Sequence, residues 1–179
     1  SFGCMDTDSV LVEVNGVPIS ATAVPSTLCF PSDSVQLEVS GSIDISDNFD
    51  PALDPTVWTS IVGGYESVNC LSVSGDALYF DGNTIRTAET VDVNVVGGGS
   101  VDFWLHIADV TSGSCENADP GEEVDLDYSI NGGGTWVNIN TYLTTAYPAF
   151  APVSEPIPAG AQTGATRFRW NQLNHSGSC

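Results

Sequence analysis

Asp125 and Asp127 stand two residues apart in the run Val124-Asp125-Leu126-Asp127-Tyr128-Ser129-Ile130. Apolar and polar residues alternate there, and period two puts both carboxylates on one face of a strand. Two acids on one face could be read as the pair a glycoside hydrolase uses. They read more simply as surface charges, offset by Arg167 and Arg169, which alternate with Phe168 and Trp170 on another strand. Trp104 is a second candidate. It falls on the wet side of Val101-Asp102-Phe103-Trp104-Leu105-His106-Ile107, where an aromatic can stack on a sugar ring or be covered by a neighbouring loop or domain. His106 is expected on that same outward face and His175 in a polar loop. Neither belongs to a base–nucleophile motif.

Five cysteines, Cys4, Cys29, Cys70, Cys115 and Cys179, are scattered without a CxxC pair or a histidine at zinc-ligand spacing. Such scatter favours disulfides formed in an oxidising compartment. Cys70, Cys115 and Cys179 are the candidates within the main module, and their pairing stays open. Cys4 is expected to pair within a preceding domain. An odd count leaves one thiol free or partnered elsewhere, and the chain reads as a piece of a longer protein.

The charge balance excludes whole classes of partner. Twenty-three acidic residues face three arginines, with no lysine, for a formal charge of −20. Gripping nucleic acid needs a cationic track that releases counterions, and an anionic membrane surface would repel this chain. No stretch is long enough to span a bilayer. An acid-rich, Asp-rich chain suits solvation and the ligation of hard divalent cations through oxygen.

The elements that must position these residues are strands. No window carries a helical apolar stripe, and Gly, Pro, Ser, Thr and Asn interrupt the chain every few residues. Besides the two runs above, strands are expected at 9–14, 34–39, 77–80, 90–95, 135–140 and 166–170. Many short strands separated by turns imply an all-β jelly roll or β-sandwich, preceded by part of an immunoglobulin-like β domain. Residues 1–14 read as the end of that preceding domain. Residues 15–43 read as a linker, with 15–27 the most linker-like, and the first strand of the next unit. Residues 44–179 read as the main module, truncated before its last strand.

Ser129-Ile130-Asn131-Gly132-Gly133-Gly134-Thr135-Trp136 is a hairpin signal: a strand, glycines that accept positive φ, then a returning strand. It resembles the Asp-box of sialidases and other β-propellers, with Asn131 where the usual residue is Asp. A single box cannot build the repeated blades of a propeller.

A longer ordered series resembles the subrepeat of reelin. It runs through Asp47-Asn48-Phe49-Asp50, Trp58, Gly63-Gly64-Tyr65, Cys70 and Ser74-Gly75-Asp76-Ala77-Leu78-Tyr79-Phe80. It continues through Arg86-Thr87-Ala88-Glu89-Thr90, Cys115, Asp127 to Gly133, Thr135-Trp136, Ala165 to Trp170 and His175-Ser176-Gly177. The resemblance covers roughly residues 44–179 and implies a calcium-binding extracellular jelly roll. In related calcium jelly rolls the first strand supplies a carbonyl and then, two residues on, a carboxylate. Carried over, these are Asn48 (carbonyl) and Asp50 (side chain), with Asp76 contributing from the turn before the 77–80 strand. The alternative is that Asp47 and Asp50 cap a turn before Pro51. The family's closing strand, with a further ligating Asp, would follow Cys179.

Phe2 to Val10 and Cys29 to Leu37 resemble strands of the immunoglobulin-like, PKD-type repeats of large secreted proteins from gliding and marine Bacteroidota. That resemblance implies export by the type IX route and a cell-surface adhesin. The expectation is therefore a non-catalytic, extracellular adhesion module stabilised by Ca2+ and disulfides. Its partners would be neighbouring domains of the same protein, surface glycans or other cell-surface proteins, with no nucleic acid and no membrane insertion. A carbohydrate-binding module is the alternative, and a glycoside hydrolase or sialidase ranks below both.

Overall fold

The computed structural model describes the strands Ile19–Val24 and Gln36–Gly41 and residues 44–80, 85–107 and 121–173. The chain divides into two units, Ser1–Asp44 and Ile45–Cys179. In the first, β1 (Ile19–Val24) and β2 (Gln36–Gly41) form an antiparallel pair, with Ile19 opposite Gly41 and Val24 opposite Gln36. The stretch 15–27, read from its Gly and Pro content as linker, thus contains a strand. Its core, Ile19-Ser20-Ala21-Thr22-Ala23-Val24, alternates in period two between the punctuating residues. The expected strand at 9–14 lies outside the described residues.

The second unit is an all-β sandwich built on antiparallel pairs. Its larger sheet has the order β3-β6-β11-β8-β9. These strands are β3 (Trp58–Val62), β6 (Arg86–Thr90), β8 (Val124–Ser129), β9 (Val137–Tyr142) and β11 (Arg167–Gln172). A hairpin of β4 (Gly64–Ser67) and β5 (Ala77–Phe80) follows β3, and β7 (Ser100–Leu105) pairs with β10 (Ala151–Pro156) as the facing layer. The strand expected at 77–80 is present as β5, and those expected at 101–107, 124–130, 135–140 and 166–170 are present with shifted ends.

Alternation explains the layers. Val101, Phe103 and Leu105 of β7 and Val153 of β10 pack onto a buried cluster of Val93, Val95, Leu126, Tyr142, Ile157, Ala161 and Phe168. Leu126 is fully buried and Phe168 nearly so. Burial of each such side chain contributes about 1.5–3 kcal/mol. A chain of aromatic contacts threads this interior. Phe49 stacks on Trp58, Trp58 meets Trp170 edge-on, Trp170 meets Phe103, Phe103 meets Tyr142, and Tyr142 meets Tyr147, with ring centroids 5.2–6.0 Å apart. Edge-to-face geometry suits the ring quadrupoles.

The strand expected at 90–95 is displaced. Pairing ends at Thr90, and Val93 makes only an isolated bridge to Thr166 while its side chain enters the core. The valine alternation there reports burial without a ladder.

Candidate functional site

The loop that enters β3 is braced by its own acids. Asp47 Oδ1 accepts the Phe49 N–H at 2.8 Å, and Oδ2 accepts the Asp54 N–H at 2.9 Å and the Trp58 indole N–H at 2.7 Å. Asp47 therefore ties the loop to the first aromatic of the interior chain. Asp54 accepts from the hydroxyl and N–H of Thr56, which hold its carboxyl below the usual range. Glu66 Oε1 accepts the Leu53 N–H at 2.7 Å, and that bond likewise lowers the Glu66 pKa. Phe49 adopts φ 61°, and the Asp50–Pro51 peptide is cis. Residues 46–48 and 50–55 line a shallow surface depression.

Asp50 takes no part in this bracing by its carboxylate, which is turned toward the β4–β5 turn. A Cβ built on Gly75 would lie 2.8 Å from Asp50 Oδ2. Gly75 has φ +60°, and its carbonyl accepts the Ser72 hydroxyl at 2.6 Å. Only a residue lacking Cβ allows this approach at that backbone angle. Asp76, half-buried, follows directly. Asn48 Oδ1 receives the Asp50 N–H at 3.4 Å. The structure thus brings Asp50 against the turn that carries Asp76, with Asn48 in the same loop as Asp50. The role of Gly75 was legible only as a glycine before Asp76; its side-chain neighbour, Asp50, lies far away in sequence and carries no local signal.

The donors here are carboxylate, amide and carbonyl oxygens, a set suited to a hard cation such as Ca2+. Among the described residues no three His, Cys, Asp or Glu side chains gather as a metal cluster. A cation at Asp50 and Asp76 would therefore complete its shell with carbonyls and water. The cradle at Gly75, which a Cβ would fill, fits that use.

Trp104 projects from the outer face of β7 and is 53% exposed. It lies opposite Pro152, and its strand neighbour Asp102 lies opposite Ser154. The hydroxyls of Ser100 and Ser154 hold the Asp102 carboxyl below its usual range. His106 departs from the expected outward position: it is half-buried, its ring centroid is 5.1 Å from that of Phe150, and its Nε2 is inaccessible. Strand pairing of β7 ends at Leu105, so the alternation does not carry through His106.

Asp127 also departs from its expected place as an exposed charge. It is 6% exposed, accepts Arg169 Nη2 at 2.7 Å and receives Asn138 Nδ2 at 3.2 Å. Trp136 covers the Arg169 guanidinium 4.2 Å from its ring centroid. Arg167 turns to Asp92 at 2.6 Å, and that bond raises the Arg167 pKa. Asp125 accepts the Thr141 hydroxyl. The paired acids of β8 therefore have different partners and different burial.

Cys70 is disulfide-bonded. The pairing among Cys70, Cys115 and Cys179 lies outside the described residues, as do Cys4, Cys29 and His175.

The model of the family described as reelin subrepeat B matches residues 63–179. The chain belongs to the reelin subrepeat B family. Reelin subrepeats are extracellular structural repeats, and the antiparallel sandwich agrees with that membership. The match spans β4 to β11 and takes in Asp76, Trp104 and the Asn131 hairpin, while Asn48 and Asp50 precede it. No helix among the described residues is long and apolar enough to cross a membrane.

Proposed function

We propose that this reelin subrepeat is a non-catalytic adhesion and spacing module of a large secreted or surface-tethered protein, stiffened by Ca2+ and disulfides. The observation that carries the calcium reading is the Asp50 carboxylate seated on Gly75 beside Asp76. A cation held by the Asn48 carbonyl, Asp50 and Asp76 would join the loop before β3 to the turn before β5, two segments with no strand pairing between them. Neutralising two acids in a chain of charge −20 also relieves repulsion. The resemblance of Phe2 to Val10 and of Cys29 to Leu37 to PKD-type repeats supports a module of a type IX-exported Bacteroidota adhesin with neighbouring domains as its partners.

Asp127 supports the non-catalytic reading, because its carboxylate is already committed to Arg169 and Asn138. An assay of aryl-glycoside turnover should give none above background. Turnover that disappears in Asp127→Asn would overturn this reading.

A second reading, glycan binding, is favoured by the exposure of Trp104 on the outer face of β7 opposite Pro152. A glycan array probed with the wild type and Trp104→Ala discriminates the two. Hits lost in the variant assign binding to Trp104, and an array without hits leaves the spacing function alone.

A further inference from the structure

The Asn131 hairpin contains a reactive dipeptide in a geometry that controls it. Asn131-Gly132 opens a turn closed by the Gly134 N–H on the Asn131 carbonyl at 3.3 Å, with Gly132 at φ 68° and Gly133 at φ 90°. Positive φ at both central positions is backbone that glycine adopts without steric cost. A Cβ at Gly132 would meet no atom within 4 Å, so the turn is open on that side.

The Asn131 carboxamide, though exposed, is held at both its oxygen and its nitrogen. Its Oδ1 accepts the Thr135 N–H at 2.9 Å and the Ser129 hydroxyl at 2.9 Å, while its Nδ2 donates to Thr135 Oγ1 at 3.0 Å. Ser129, 1% exposed, anchors this arrangement by accepting the N–H groups of Gly133 and Asn131 at 3.0 and 3.3 Å. We infer that Asn131 is a deamidation site gated by the hairpin: conversion proceeds only when the carboxamide leaves Ser129 and Thr135.

In the step itself the Gly132 nitrogen attacks Asn131 Cγ. A nitrogen–Cγ bond forms, the Cγ–Nδ2 bond breaks, and Nδ2 leaves as ammonia with the proton lost by Gly132. Water then opens the succinimide. Attack at Cγ yields aspartate with the ordinary backbone, and attack at the main-chain carbonyl carbon yields isoaspartate. The net change is consumption of one water and release of one ammonia.

The hairpin treats the two products differently. Aspartate keeps Oδ1 as acceptor for Thr135 N–H and Ser129 Oγ–H. Its second oxygen replaces Nδ2 and accepts from the Thr135 hydroxyl, which rotates from acceptor to donor. Isoaspartate inserts a methylene into the main chain and separates the Asn131 carbonyl from the Gly134 N–H. The site therefore accepts an added negative charge but not an altered backbone.

The test is peptide mapping by mass spectrometry of the full chain incubated at mildly alkaline pH, folded and in urea, with isoaspartate scored separately. Asn15-Gly16, the other Asn-Gly pair of the sequence, supplies the internal reference in the denatured chain. Deamidation at Asn131 is expected to be at least several-fold slower folded than denatured, and to match Asn15 in urea. Thr135→Val, which removes one of the three restraints, should speed it in the folded chain. Should Thr135→Val unfold the hairpin, Thr135→Ser retains the hydroxyl and should restore the wild-type rate. Asn131→Asp should melt at the wild-type temperature. Equal rates at Asn131 in the folded and denatured chain, or a folded Thr135→Val no faster than wild type, would overturn the inference.

Discussion

The carboxylate of Asp50 lies against Gly75, close enough that a Cβ there would fall 2.8 Å from Oδ2. The contact joins two segments that share no hydrogen-bonded ladder, and it exists because Gly75 takes φ +60°. Gly75→Ala adds strain at that angle and displaces Asp50. It is expected to destabilise the module by about 1–3 kcal/mol. Urea unfolding measures this, and Gly97→Ala is the control because a Cβ there meets nothing within 4 Å.

The two arginine pairs of β11 should differ in worth. Asp127 and Arg169 have side chains 9% and 20% exposed, whereas Arg167 and Asp92 are 24% and 44% exposed. Removing a partner from a mostly buried pair leaves an uncompensated charge, so Asp127→Ala is expected to cost about 2–4 kcal/mol. Asp92→Ala acts on a solvent-screened pair and should cost about 0–1 kcal/mol, shrinking with added salt. Trp136→Ala, which uncovers Arg169, should fall between them at about 0.5–2 kcal/mol. Chemical denaturation of the three variants at low and high salt checks the order.

Much of this sandwich was legible because β7 and β8 follow their alternation: Val101, Phe103 and Leu105 face in, Asp102 and Trp104 face out, and Leu126 is fully buried. Strands β6 and β10 carry no alternation in sequence, for physical reasons. Strand β6, Arg86-Thr87-Ala88-Glu89-Thr90, is buried on both faces although mostly polar. Several of its polar groups pair across the sheet, as Arg86 Nη1 does with Gln172 at 3.1 Å and Thr90 Oγ1 with the Phe168 N–H at 3.0 Å, so no alternation appears. Strand β10 carries Pro152 and Pro156, which ordinarily argue against a strand. They are tolerated where, among the described residues, β7 is the only strand paired with β10. At the site, Asp47 and Asp50 look interchangeable in sequence. The indole of Trp58, eleven residues away, claims Asp47 and leaves Asp50 to the Gly75 turn.

Stability should fall at both ends of the pH range for separate reasons. Asp54, Glu66 and Asp102 have pKa values lowered by hydrogen bonds, so their contribution is present above their ordinary values of 3.8 to 4.5. It is lost as pH falls through the depressed folded values. Tyr142 is shifted the other way by burial and by its hydrogen bond to Glu155. Folding favours its neutral phenol, so that contribution is whole below the ordinary value of 10.0 and is lost as pH rises above it. Thermal melts across pH should show both limbs. Glu66→Gln and Asp102→Asn should soften the acid limb, and Tyr142→Phe should remove the alkaline one.

The most direct measurement is the melting temperature of a chain extended past Cys179, taken in EGTA and then across a Ca2+ titration, for the wild type and Asp50→Ala. A ligand bound only by the folded state raises stability with the logarithm of its concentration; at one hundred times Kd the gain is about 2.7 kcal/mol. The expected result is a melting temperature that climbs with Ca2+ in the wild type and stays flat in Asp50→Ala. Identical melting in EGTA and saturating Ca2+, with Asp50→Ala indistinguishable from wild type, would contradict a metal-stapled module.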